Sequence, residues 1–205
     1  MKKYVLKFCL TILTALFVAL SGTTNLAAGN FSTSTIRFYE TKELITKMLP
    51  NSYRLSQIKT TLNRNQISQL NKWKNWNSDI NQFVFYLSKN RERKIVRTLV
   101  LFPEQTRQGL IMVATTIDNN GIVDQAEVFE ASQATINWLL PLLRSGFMKH
   151  FKGKSEAMSL KLPKYLKSSR VSRLSLGYGV HLNKAVKKSS QLFNVVFKNN
   201  RPSNN

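Results

Sequence analysis

Cysteine is almost absent: Cys9 is the only one in 205 residues. It lies within an N-terminal apolar run, so a chain trimmed behind that run holds no thiol. This excludes disulfides, iron–sulfur clusters, cysteine-ligated zinc, c-type haem attachment and a cysteine nucleophile. Histidine is nearly as scarce, with His150 and His181 alone, and neither has a carboxylate at the spacing of a metal site. Each reads as a basic-surface residue or a helix-end contact. The sequence also lacks a nucleophile elbow, a Walker loop and a GxGxxG fingerprint, so neither a hydrolase nor an NTPase is expected. Asp118, Asp124, Glu127 and Glu130 fall close together, but no histidine lies near them in sequence, and they read as solvated loop-flanking acids.

Acidic residues are few as well: 10 against 31 lysines and arginines, for a formal net charge of +21 and a pI near 10.4. At 42% hydrophobic and 10% aromatic the chain is too apolar for a disordered basic arm. Its length suits one domain. The charge is uneven. Residues 29–143 carry 14 basic and 9 acidic side chains, whereas residues 144–205 carry 14 basic ones and a single acid, Glu156.

Met1-Lys2-Lys3, the apolar run Phe8 to Leu20 and the small-residue end Ala27-Ala28 describe a secretory signal over residues 1–28. The other reading is a retained anchor, but the run is shorter than the ~20 apolar residues a bilayer crossing needs. The expectation is export to a bacterial periplasm or envelope, with cleavage after Ala28. Basic residues interleaved with Phe147, Phe151, Tyr165 and Tyr178 would suit a nucleic acid, but an exported chain does not normally meet one, so nucleic acid is not an expected partner.

The periodicity predicts an α+β fold, with an antiparallel sheet, N-terminal helices before it and C-terminal helices packed against it. A helix is expected over Thr41 to Leu49 behind a Thr41 cap, and another from Asn65 to Lys74. Strands are expected at Gln82 to Ser88, Ile95 to Phe102, Leu110 to Ile117 and Ile122 to Glu130, the last two joined by the Asp118-Asn119-Asn120-Gly121 turn. Ile136, Leu139, Leu140, Leu143 and Phe147 mark a helix that Pro141 should kink or split. Ser155 to Arg173 reads as a loop, and the final helix as His181 to Phe197. Trp73, Trp76, Phe83 and Phe85 read as core.

The candidate site is Ser175-Leu176-Gly177-Tyr178-Gly179, expected as a loop immediately before that final helix. Glycines allow a tight backbone, and the free N–H groups of a helix start attract an anion. Lys149, Lys152, Lys154, Arg170, Arg173, His181 and Lys184 lie near it in sequence. Two readings stand: a phosphate cradle, or an ordinary glycine-containing loop entering a helix.

Several segments resemble the FMN-binding domain of periplasmic electron-transfer proteins, including the G/C-type subunits of sodium-pumping and Rnf-type respiratory complexes and the small stand-alone members. The carrying segments are Met48-Leu49-Pro50, the hairpin Ala114 to Val123 with Ile117-Asp118-Asn119-Asn120-Gly121, Val128-Phe129-Glu130, Gly146-Phe147-Met148-Lys149-His150-Phe151-Lys152-Gly153-Lys154 and Asn183-Lys184-Ala185-Val186. The resemblance implies an FMN site built on Ser175, Gly177, Tyr178, Gly179, Arg173 and Lys149, with Tyr178, or the more distant Trp138, stacked on the isoalloxazine. It further implies an electron-transfer or binding protein rather than a catalyst, partnered by a membrane redox complex. One departure is chemical: the family's Ser-Gly-Ala-Thr flavinylation run is replaced, and no threonine follows Thr135. Covalent attachment at the usual position is therefore unavailable, and any FMN would be held non-covalently. The alternative reading is a cofactor-free basic module that binds an anionic lipid surface or a membrane complex.

Overall fold

The computed structural model describes residues 34–76, 80–168 and 171–198. The expected signal over residues 1–28 and Arg170 lie outside the described residues. Six antiparallel strands form one sheet: β1 (Thr35–Arg37), β2 (Arg54–Thr61), β3 (Gln82–Lys89), β4 (Ile95–Thr106), β5 (Gly109–Asp118) and β6 (Val123–Ser132), in the order β1-β6-β5-β4-β3-β2. Two helices, α1 (Thr41–Met48) and α2 (Arg64–Asn71), are threaded between the first strands. After the sheet come α3 (Ile136–Arg144), a 3-10 turn at Phe147–Phe151, a short α4 (Lys164–Ser168), the long α5 (Arg173–Phe193) and a π turn at Asn194–Lys198. The α+β class and the placement of helices on both sides of the sheet in sequence are as expected.

Strand alternation divides the core into two layers. Val100, Phe102, Ile111, Val113, Ala126 and Val128 face α3, the 3-10 turn and α5, and meet Leu139, Leu142, Phe147, Phe151, Leu182 and Val186. Leu99, Ala114 and Phe129 point the other way and are covered by Leu44, Met48 and Leu49 of α1 and its end. Trp76, Phe83 and Phe85 are buried, and Trp73 packs against the same core at its margin. Phe83 stacks on Phe102 at a centroid distance of 5.8 Å, and Trp76 meets the same ring edge-on at 5.7 Å.

The β5–β6 hairpin forms where the Asp-Asn-Asn-Gly turn predicts it. Asp118 Oδ1 accepts from the N–H groups of Asn120 and Ile122 at 2.9 and 2.8 Å, and Gly121 supplies the φ of +84° the turn requires. Other boundaries differ, each for a physical reason. α1 begins at Thr41 itself, so the cap position falls on Glu40, whose side chain makes no capping bond. α2 starts at Arg64 because Asn63 and Gln66 form a reciprocal capping box, at 2.9 and 3.0 Å. β4 runs four residues past Phe102 and through Pro103. Beyond Val100 it pairs only with β5, so the missing proline N–H falls where one edge of the strand has no ladder to lose. β1 and β2, short or largely exposed, carry too little apolar alternation to be read from sequence. Pro141 does not split α3, which continues to Arg144 and ends at Ser145, where Gly146 takes a left-handed φ of +73°.

Candidate functional site

The predicted loop Ser175 to Gly179 is helical. α5 begins at Arg173, eight residues earlier than expected, behind a Ser172 cap whose Oγ accepts from Ser175 N–H at 3.1 Å. Ser175 is buried. Tyr178 is 5% exposed, and its hydroxyl donates to Gln108 Oε1 at the β4–β5 turn. Gly179 faces the core, where a Cβ would stand 3.0 Å from Leu162 Cδ2 and 3.6 Å from the Phe147 ring. Gly177 faces open space. The glycines thus serve close packing on one side of a helix and have no partner on the other. A glycine in a helix costs about 1 kcal/mol, and burying Tyr178, Leu182 and the segment around them outweighs that local preference.

Lys149 lies apart from that stretch. It belongs to the 3-10 turn and, with Met148 and Lys152, faces Asp124, Gln125, Ala126 and Glu127 of β6 across a cleft of about 350 Å³. The lining includes none of Arg173, Ser175, Gly177, Tyr178 or Gly179. The cleft arises from two partners of the β6 edge. Phe129 C=O accepts from Phe38 N–H at one end, and Val123 pairs with Gly153 and Lys154 at the other, at 2.8 and 2.7 Å. The acids of the cleft are engaged, Glu127 by Lys47 at 2.9 Å and Asp124 by Arg97 at 3.1 Å. Among the described residues no carboxylate pairs with Lys149 or Lys152. Trp138 is partly buried against the main core.

His150 is half-buried in the last turn of the 3-10 segment and makes a helix-end contact. Burial holds its imidazole below the usual range, the nearby Lys154 charge adds to this, and a contact with the Phe147 carbonyl at 3.0 Å only partly opposes it. Its ring lies 4.1 Å from that of Phe151. His181 instead joins an ionic group that sequence reasoning missed. Glu104 on β4, nearly fully buried, accepts from Lys188 Nζ at 2.9 Å and lies 3.3 Å from His181 Nδ1, both on α5. Burial would raise the Glu104 carboxyl, but the two donors outweigh it and hold the group below its ordinary value. Lys188 Nζ also stands 5.7 Å from the Phe102 centroid. A signal existed: Lys188 interrupts the stripe Ala185, Leu192, and Glu104 alternates with Val100 and Phe102, so each is a charge at a core position. Among the described residues no group of three or more His, Cys, Asp or Glu side chains could hold a metal ion.

The remaining feature is a basic ridge. Along α5 the outward positions are Arg173, Gly177, Val180, Lys184 and Lys187, which share one stripe at helical spacing. The segment before α4 lies beside α5: Asn183 Nδ2 donates to the carbonyls of Leu160 and Lys161 at 3.0 and 3.4 Å, and Lys187 Nζ to that of Met158 at 2.8 Å. This contact sets Lys161 and Lys164, both exposed, next to the helix. No protein-family model, curated protein or solved structure matches this chain.

Proposed function

We propose that this chain is a basic binding module whose C-terminal third docks on an anionic phospholipid surface. The observation that carries the reading is the ridge of Lys161, Lys164, Arg173, Lys184 and Lys187, in a region with one acid, Glu156, for 14 basic residues. A lysine or arginine near an anionic leaflet contributes about 1 kcal/mol, so five supply roughly 5 kcal/mol, short of the ~8 kcal/mol of a micromolar affinity. The test is co-sedimentation with vesicles of phosphatidylcholine alone and with phosphatidylglycerol added. Binding is expected only to the anionic vesicles, falling steeply between ~50 and ~500 mM salt. Binding that ignores salt, or no binding at all, counts against the reading.

A second reading is non-covalent FMN in an envelope electron-transfer system. What favours it is the 350 Å³ cleft beside Lys149 and Lys152, at the lower end of small-molecule site volumes. In this form the flavin phosphate meets Lys149 and Lys152, which face β6 across the cleft, and Ser175 and Tyr178 remain packing residues. Titration with FMN decides it: no quenching of flavin fluorescence at on the order of tens of micromolar removes the flavin.

A further inference from the structure

We infer that the free edge of β2 is a docking site for an extended acidic peptide, which joins the sheet as a further antiparallel strand. It involves no residue of the lipid-docking ridge. β2 ends the sheet, with β3 on one side and no strand on the other. It runs in unbroken register with β3 over eight residues and contains no proline. Leu62 N–H donates to Asn81 C=O at 2.8 Å, and that pair continues the register in which Thr60 faces Phe83 and Ile58 faces Phe85. Bonded and non-bonded pairs alternate along an antiparallel ladder, so Arg54, Ser56, Ile58 and Thr60 bond to β3. The N–H and C=O groups of Leu55, Gln57, Lys59 and Thr61 therefore point away from it, and all four side chains are exposed. Sheets blunt such an edge with a proline, a bulge, a very short strand or a charge. β1, at the other end of the sheet, has only three residues. β2 relies on charge alone, and its Lys59 repels basic strands and attracts acidic ones.

The cations around the edge select the occupant. Arg54 lies directly opposite Lys89 on one face, a placement that costs stability between like charges. Lys59 stands on the other face. Among the described residues no carboxylate pairs with Arg54, Lys59 or Lys89, and Glu92 of the neighbouring turn is held by Lys94 at 2.9 Å. A second copy of this chain would bring another Arg54 and Lys59 to the edge, and another net charge of +21. An acidic strand supplies what is missing. Leu55, 48% exposed, adds an apolar contact on the Lys59 face. In an antiparallel partner the side chain facing Lys59 comes four residues before the one facing Leu55 and five before the one facing Arg54, as the spacing in β2 requires. The pattern that fits is thus an acid, an apolar residue four further on and a second acid directly after it. Main-chain bonds supply affinity, and these side chains supply specificity.

The probe is the capped peptide Thr-Glu-Val-Thr-Val-Leu-Glu-Thr, added to the full chain at about 150 mM salt to screen diffuse attraction. Its first glutamate faces Lys59, its leucine Leu55 and its second glutamate Arg54. Amide hydrogen exchange is expected to slow at Leu55, Gln57 and Lys59 but to stay as it was at Ser56 and Ile58, which already bond to β3. A scrambled peptide of the same composition is expected to bind roughly tenfold more weakly or worse. N-methylation of the threonine facing Gln57 should do the same, whereas N-methylation of the valine facing Ile58 should not. Gln57→Pro removes an outward N–H without touching the β2–β3 ladder, so it should lose binding with a nearly unchanged thermal midpoint. Lys59→Glu should weaken binding several-fold, and a peptide with lysine for its first glutamate should restore it. Equal binding of the scrambled peptide reduces the effect to general attraction by a basic chain and overturns the inference, as does no binding at all. Exchange already slow at Leu55, Gln57 and Lys59 in the free chain shows that the chain covers its own edge, and slowing that grows with protein concentration shows a second copy there. Either result also overturns it, and none of these outcomes depends on vesicle binding.

Discussion

Gly177 and Gly179 are two residues apart on α5 and meet opposite surroundings. At Gly177 an added Cβ touches nothing, so Gly177→Ala should gain helix propensity at no packing cost and raise stability by about 0.5–1 kcal/mol, read as a higher urea midpoint. At Gly121 the φ of +84° strains any side chain, whereas the Lys198 ammonium, 2.7 Å from where a Cβ would stand, ends a flexible chain that can move aside. Gly121→Ala should therefore lose more than about 1 kcal/mol in the same measurement. Glu104 carries the largest single-residue risk. Removing one partner of a buried pair typically costs about 3–5 kcal/mol, because the other charge stays buried. Glu104→Gln or Lys188→Met alone should thus destabilise far more per site than the two together, a coupling that a double-mutant cycle reads directly. The pH dependence has a defined sign. The folded Glu104 carboxyl lies below its ordinary value of 4.5, so its contribution is fully present above that value and is lost as pH falls through the lowered folded one. Glu104→Gln should flatten the acid limb of a stability-against-pH curve.

Helices and strands repeat the lesson at the next scale. α2 is short, and its reciprocal Asn63–Gln66 box satisfies two backbone donors at its start. Asn63→Ala should cost about 1 kcal/mol in thermal or urea unfolding. The hairpin, the four central strands and the helix over Ile136 were legible because a strong turn signal and β-branched or apolar periodicity act within a few residues. Gly177 and Gly179 look locally like a break, so the sequence places the start of α5 at His181 rather than Arg173. Gly179 is instead the point where Leu162, Phe147 and Leu142 press against the helix, and no local rule contains those partners. The same applies to Pro103, which β4 tolerates because its pairing with β3 stops at Val100. Pro141 is likewise carried inside α3, whose Leu139 and Leu142 are fully buried.

For the whole molecule, the contrast between residues 29–143, with 14 basic and 9 acidic side chains, and a C-terminal third with 14 and one makes an electrostatic prediction that single residues do not. Reversing Lys161 and Lys164 to glutamate should weaken binding to anionic vesicles roughly tenfold or more, since each change removes about 1 kcal/mol of attraction and adds repulsion. The same reversal at Arg91 and Lys94, on the exposed β3–β4 turn, should have much less effect, and co-sedimentation compares the two. The amino-acid sequence alone determined the α+β class, the order of the central elements, the β5–β6 turn and the lopsided charge, because composition and short-range periodicity do not depend on what lies across the sheet. Only the tertiary structure decided that the Ser175 to Gly179 stretch is a packed helix, that Lys149 faces β6 across a separate cleft and that Glu104, His181 and Lys188 form one group. Each of those outcomes depends on residues far apart in the chain, such as Tyr178 with Gln108 or Glu104 with Lys188, and their proximity is set by how the sheet and α5 pack.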